Sequence, residues 1–206
     1  MGFYDRVILP RLLNSAMGAK PITYQRKKVV PFATGDVLEI GMGAGHNLPF
    51  YDKSKVTRLI GLEPHKQLRA RAMKRAEEAG IPVEFTDLKA ENIDLPDASV
   101  DTVVVTYTFC SIPDVQQALT GIARVMKPGA TMLFCEHGLA PDAKVARWQG
   151  RIEPLWKRIA GGCHLCRPIP DMLTQGGFRV EGLETMYLPG TPKSLGYNYW
   201  GRAVKA

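Results

Sequence analysis

No stretch of this 206-residue chain approaches the roughly 18 uncharged apolar residues of a membrane-spanning helix, so none is expected. The opening run MGFYDRVILPRLLNSAMG is interrupted by Asp5, Arg6, Pro10 and Arg11. It lacks the apolar centre of a secretory signal and points to a cytoplasmic protein. There is no internal repeat and no low-complexity linker. Cysteine is scarce: Cys110, Cys135, Cys163 and Cys166 are the four in the chain. A disulfide framework is not expected at this length and in that compartment. Cys110 and Cys135 lie in or beside apolar runs and read as reduced core thiols. Cys163 and Cys166 form a single C-x-x-C without the second pair of a zinc module, so no metal is expected there. Their default reading is inert loop thiols, with contact to a substrate or a redox-sensitive pairing as the rival uses.

Acidic residues run short, with 20 Asp and Glu against 27 Lys and Arg, for a net charge of +7. Such a surface attracts anions, nucleic acid or acidic headgroups. Part of the excess lies early, at Arg6, Arg11, Lys20, Arg26, Lys27 and Lys28. A second cluster, Lys66, Arg69, Arg71, Lys74 and Arg75, reads as the solvated face of a helix. Neither cluster is interleaved with aromatic residues or carries a nucleic-acid motif, so no nucleic-acid partner is expected.

What is present is an ordinary globular composition, 45% hydrophobic, long enough to bury a sizeable core. Short apolar runs alternate with helical patterns, which predicts a parallel α/β sheet. Strands are expected at 36–40, 56–62, 82–86, 100–109 and 130–136. VDTVVVTYTF (100–109) is β-branched and nearly continuous, as a central strand covered on both faces should be. Helices are expected at 46–53, 65–79 and 114–126, the last ending at Lys127-Pro128-Gly129. A helical stretch at 142–160, a Gly/Cys loop and a short helix at 170–176 then form a cap. Two further strands, 178–188 and 195–205, are joined by a short Pro/Gly segment and should pair antiparallel.

The strongest motif is VLEIGMGAGHN (37–47), in which a strand ends and Gly41, Gly43 and Gly45 alternate. Glycines there permit a tight turn and close backbone approach to a ligand. His46 breaks the dinucleotide G-x-G-x-x-G pattern, and the lysine of a P-loop is absent. Glu63 ends the next strand, about twenty residues on, where a carboxylate can hold both hydroxyls of a ribose. Glu39 adds a second carboxylate beside the turn. Two carboxylates suit a cationic nucleoside better than a pyrophosphate, and S-adenosylmethionine has a ribose, a sulfonium, an ammonium and no phosphate.

E-x-G-x-G-x-G at 39–45 followed by Glu63-Pro64 resembles the class I S-adenosylmethionine-dependent methyltransferases. Ala90-Glu91, Thr106 at a strand end and RVMKPGA before the fifth strand fit the same pattern, with departures at Met42, Lys89 and Ala130. The resemblance implies a Rossmann-like, seven-stranded, mostly parallel sheet with an antiparallel C-terminal hairpin and helices on both faces. It implies an enzyme whose cofactor is S-adenosylmethionine. Gly41, Gly43 and Gly45 would contact the methionine part, Glu39 its ammonium, and Glu63 with Pro64 the ribose side. Ala90 and Glu91 would face adenine, and Thr106 would meet the methionine end. Residues 1–30 would form a lid in which Tyr4 helps cover the cofactor, ahead of a methyltransferase domain at 31–206 with its cap at about 142–176. The rival use of the N-terminal segment is weak attachment to a membrane surface.

A narrower resemblance covers nearly the whole chain. Glu136-His137, the Trp156 region, Gly162-Cys163-x-Leu165-x-Arg167 and TFCSI (108–112) are similar to the alkyl-thiol S-methyltransferase family and its bacterial relatives. It implies a small thiol as acceptor: hydrogen sulfide, methanethiol or another alkyl thiol. Alternatives are a phospholipid amine, a quinone-precursor ring carbon, or a non-catalytic cofactor- or RNA-binding module. The thiolate is the nucleophile, so a proton must leave the acceptor. His137, just past the fifth strand, is the first candidate to take it, and His164 in the Gly/Cys loop is the second. His46 reads as a helix-positioning residue, His65 as one near adenine or solvent, and Cys110 and Ser111 as packing or pocket residues. The expected assembly is a monomer or homodimer.

Overall fold

The computed structural model describes residues 8–206, so Tyr4 lies outside the described residues. Seven strands form one sheet: β1 (Gly35–Ile40), β2 (Val56–Leu62), β3 (Glu84–Thr86), β4 (Val100–Thr106), β5 (Met126–His137), β6 (Phe178–Tyr187) and β7 (Tyr197–Lys205). Their order is β3-β2-β1-β4-β5-β7-β6. The pairings among β1 to β5 are parallel, and β7 runs antiparallel to both β5 and β6. The Rossmann-like sheet with an antiparallel C-terminal pair is therefore the fold of the chain. The last strand turns back to fill the place beside β5 and leaves β6 at the edge.

Alternation explains how the sheet is covered. On β4, Val103 and Val105 enter one apolar cluster, and Val104 enters the cluster on the opposite face. All three are fully buried, each worth about 1.5–3 kcal/mol against exposure. Leu38 and Ile40 follow the first face on β1, and Val37 the second.

The helices are α1 (Leu9–Met17), α2 (Lys20–Arg26), α3 (Lys66–Ala79), α4 (Val115–Val125), α5 (Ala143–Ile159), α6 (Ile169–Gln175) and α7 (Lys193–Gly196). Pro10 starts α1 instead of interrupting it, because a proline in the first helical turn loses no hydrogen bond. Asp114 caps α4 by accepting from the Gln117 amide at 2.9 Å. Gly80 ends α3 in the left-handed conformation, at φ 61°.

Two local expectations are corrected. The helix expected at 46–53 is only a 3₁₀ turn at Leu48–Phe50. Pro49 has no amide to give to an α-helical ladder, and the Gly-rich turn occupies the residues before it. At the other end, β5 begins already at Met126, and its register against β4 shifts across the Pro128-Gly129 turn.

The cap is tied down by Gln149 on α5. Its oxygen accepts from the Ala140 amide at 2.9 Å. Its amide nitrogen reaches the carbonyls of Gly138 (3.0 Å), Leu165 (3.3 Å) and Ser194 (3.2 Å). One buried side chain thus joins α5 to the segment after β5, to the Gly/Cys loop and to α7.

Candidate active site

The Gly-rich bend leaves the carboxyl end of β1. Gly41, Gly43 and Gly45 have φ of 65°, 58° and 79°, a region that side chains adopt only under strain. A β-carbon on Gly45 would stand 2.6 Å from Leu48 Cδ1 and 3.0 Å from the Ala72 backbone, and one on Gly41 would run into the Thr108 side chain. These two glycines let helix α3 and Thr108 close in on the bend. Gly43 differs, since a β-carbon there would meet nothing nearer than 3.8 Å. The bend is open on the β-carbon side of Gly43, which leaves room there for a ligand.

Glu63 braces this opening. Its Oε2 accepts from the Gly43 amide and its Oε1 from the His65 amide, both at 2.8 Å. Burial raises its pKa, against the pull of those two amides. Pro64 and His65 follow on the exposed side, His65 as the residue before α3. Ala90 is buried and Glu91 half-buried in the loop after β3, where the Glu91 carbonyl accepts from Gln117 at 3.1 Å.

Behind the bend lies a buried polar network that the sequence reading did not anticipate. Glu39 accepts from Asn47 Nδ2 at 2.9 Å and from the Tyr51 hydroxyl at 2.7 Å, so both its oxygens are engaged. Asn47 also donates to Thr106 Oγ1 at 3.0 Å. Arg26, from α2, donates to Asn47 Oδ1 at 2.8 Å and to Thr106 Oγ1. Its guanidinium lies 5.3 Å from the centre of the Tyr107 ring. Burial pushes Glu39 up to about 7, although Tyr51, Arg26 and Asn47 all favour the carboxylate. Arg26 is thus a buried cation within a run of basic residues. Arg75 is an exception to the solvated-face reading of its helix, because it donates to the Ala44 carbonyl at 2.6 Å. His46 does not start a helix; its Nε2 meets Asn14 Oδ1 of α1 at 3.1 Å. Burial, then Arg75 and Arg26, push it down to about 4, so it is neutral near pH 7.

A second corner forms where β4 and β5 end. Glu136, fully buried, accepts on Oε1 from the amides of Thr108 (2.7 Å) and Phe109 (3.1 Å). Its Oε2 has no hydrogen-bond partner, and burial pushes the group up to about 8. Cys110 lies in the 3₁₀ turn Phe109–Ser111, His137 ends β5, and Cys163 comes from the loop after α5. His137 Nε2 is 3.1 Å from Cys163 Sγ. The ligating atoms of Cys110, His137 and Cys163 all lie within 4.8 Å of one another. Hydrogen bonding from Cys163 holds the Cys110 thiol well below its ordinary range, against burial and with help from His137. Burial opposes the His137 imidazolium, but Cys110 and Glu136 outweigh it and the pKa is raised. Thr108 joins the two halves of the site, since it packs on Gly41 and its amide anchors Glu136.

His164 and Cys166 take other partners. His164 Nδ1 meets Glu153 Oε1 at 3.2 Å, and the Cys166 amide donates to Glu153 Oε2 at 2.7 Å. The C-x-x-C is therefore divided: Cys163 turns to Cys110 and His137, and Cys166 to Glu153. Ser111 is exposed, with its hydroxyl 3.5 Å from Cys110 Sγ. Outside this corner a cleft of about 660 Å³ is lined by Glu153, Pro154, Lys157, Gly162 and Cys166 among others, and by no residue of the bend.

A family model described as a methyltransferase domain matches residues 38–134, the span from the bend to β5. The chain is 30% identical over 205 residues to a human thiol S-methyltransferase, TMT1B, covering 97% of this chain and 83% of that protein. The Rattus norvegicus TMT1B is 33% identical over 173 residues, covering 82% and 70%. Among solved structures, a SAM-dependent methyltransferase from Thermotoga maritima superposes with a TM-score of 0.69 at 20% identity, over 98% of this chain and 99% of that one. No helix among the described residues is long and apolar enough to cross a membrane.

Proposed function

The chain belongs to the S-adenosylmethionine-dependent methyltransferases, and from that premise we propose that it methylates the sulfur of a small thiol: hydrogen sulfide, methanethiol or another alkyl thiol. S-adenosylmethionine is its methyl donor. The open bend at Gly43 and the carboxylate beside it fit that molecule. Bound there, it supplies an electrophilic methyl carbon on a sulfonium.

The remaining work falls to the chain. Backbone at Gly41, Gly43 and Gly45 would hold the methionine part, with Thr106 at its end. Glu63, beside Pro64, would accept from the ribose hydroxyls on the lone pairs its two amide bonds leave free. Ala90 and Glu91 would hold adenine. Glu39 stands behind the bend and favours the ammonium through the network it shares with Asn47 and Arg26. The lid reading of residues 1–30 is supported by two neighbours of α1. Asn14 holds His46 at the bend, and Leu9 is the side chain that a β-carbon on Gly161 would approach to 3.2 Å, two residues before Cys163. A segment touching both halves of the site can exclude water from them.

One observation carries the thiol reading: an imidazole and two buried sulfurs converge at the ends of β4 and β5, joined to the bend through Thr108. Such a corner receives a sulfur acceptor and gives its proton a place to go. His137 is the residue that takes it. His164 is bound to Glu153 and serves to hold the Gly/Cys loop in place. The test is turnover of labelled donor by purified protein with hydrogen sulfide and alkyl thiols, an ethanolamine lipid and a quinol. Thiol products are expected; methylation confined to the lipid or the quinol rejects the reading.

The donor should also bind with a definite pH dependence. Glu39 is held near 7 by burial, so a cation bound in front of it favours its ionised form and displaces a proton. Donor affinity is expected to rise by up to roughly eightfold between about pH 6 and about pH 7.5. Calorimetry across that range checks it, and Glu39→Gln should flatten the profile.

A further inference from the structure

We propose that Cys110, His137 and Cys163 form a binding site for a thiophilic divalent cation, zinc by its chemistry, with a fourth position open to a sulfur ligand. Three segments that are distant in sequence bring two Sγ atoms and one ring nitrogen within 4.8 Å of one another, with His137 Nε2 3.1 Å from Cys163 Sγ. Tetrahedral zinc has Zn–S near 2.3 Å and Zn–N near 2.0–2.1 Å, which sets its ligand atoms roughly 3.5–3.8 Å apart. Small side-chain rotations reach that spacing from the one observed. Two thiolates and a neutral imidazole select zinc over calcium or magnesium, which prefer oxygen.

Charge and rigidity agree with the donor set. Binding releases the two cysteine protons, so two thiolates balance the dication and the buried site stays neutral. The scaffold is already fixed, because the His164 amide donates to the Cys110 carbonyl at 2.8 Å and the Cys163 amide to that of Ala160 at 3.2 Å. The Trp156 N–H, buried without an oxygen acceptor, lies toward the Cys163 sulfur and can donate to it. Three protein ligands leave one coordination position for a small molecule, as in catalytic zinc sites.

The open position deepens the thiol reading and rests on it only for what occupies that place. A thiol that joins the cation gives up its proton to water and is held as a thiolate. In the loaded protein His137 is then a ligand, and its role as proton acceptor belongs to the metal-free form.

The test uses the purified full chain, stripped with chelator under a phosphine reductant and titrated with Co²⁺ and then Zn²⁺. Expected are one cobalt per chain, thiolate-to-cobalt charge-transfer absorption with tetrahedral ligand-field bands, and their loss on addition of one equivalent of Zn²⁺. Cys110→Ser, Cys163→Ser and His137→Ala should each weaken binding by at least about 100-fold, and Cys166→Ser should leave it unchanged. Circular dichroism of each variant guards against unfolding, and the wild-type titration decides without any variant. Absence of the cobalt spectrum in the wild type, or its survival in Cys110→Ser, overturns the site. Methanethiol should shift the ligand-field bands; bands unmoved by a saturating thiol overturn the open position. Thiol turnover by a protein that binds no metal rejects the site and keeps the thiol reading. Stoichiometric metal without thiol turnover keeps the site and rejects that reading.

Discussion

Glu63→Ala is expected to weaken binding of S-adenosylmethionine by about 100-fold or more while the ligand-free protein stays folded. Glu63 does two things at once. Its carboxylate receives the Gly43 and His65 amides, which fixes the bend, and it faces the place assigned to the ribose. Hydrogen bonds to a charged group contribute about 1.5–3 kcal/mol each, so losing two reaches 3 kcal/mol or more, a factor of at least 100 in affinity. Stability of the free protein should change less, because removing a buried carboxylate also relieves the desolvation that raises its pKa. Glu63→Gln should fall between, since one oxygen can still accept and the new NH₂ cannot. Calorimetry with the donor and with its demethylated product, beside thermal melts, separates the two effects. Unchanged donor affinity in Glu63→Ala overturns the ribose assignment.

The second large effect is expected at His137. In the metal-free protein its alanine variant should lose about 100-fold in kcat, within the usual range for removing a group that moves a proton. Donor affinity should stay within about twofold, because the His137 ring bonds to Cys163 and the bend is held by other groups. The variant's remaining activity should climb with pH as the acceptor thiol ionises by itself, near pKa 8.5 for an ordinary thiol. A wild-type kcat in His137→Ala would mean that the acceptor arrives already as its anion.

Much of the fold was legible because it rests on local patterns. Val103, Val104 and Val105 announce a strand covered on both faces, whereas Lys127-Pro128-Gly129, expected to end α4, lies within β5 and α4 stops at Val125. Pro49 was equally visible, and together with the Gly-rich turn before it, it leaves only a 3₁₀ turn there. The glycines of the bend and Glu63 could be read from spacing alone. The network behind them could not. Arg26 carries no sign of burial in a run of Arg and Lys, and it is buried because Thr106, 80 residues away, and Asn47 supply its acceptors. The sulfur corner was hidden for the same reason. Its three members lie on separate segments, and the visible pair, Cys163 with Cys166, is not the pair that meets.

The Gln149 clasp limits how the cap can diversify. Its oxygen and nitrogen bind four main-chain groups on three different segments, so those segments keep their spacing whatever side chains they carry. Side chains on those segments can be exchanged one by one, but the outline of the cap changes only if the whole clasped unit is replaced together. A chimera that imports the Gly/Cys loop from a relative should therefore keep its shape only when α5 and α7 travel with it.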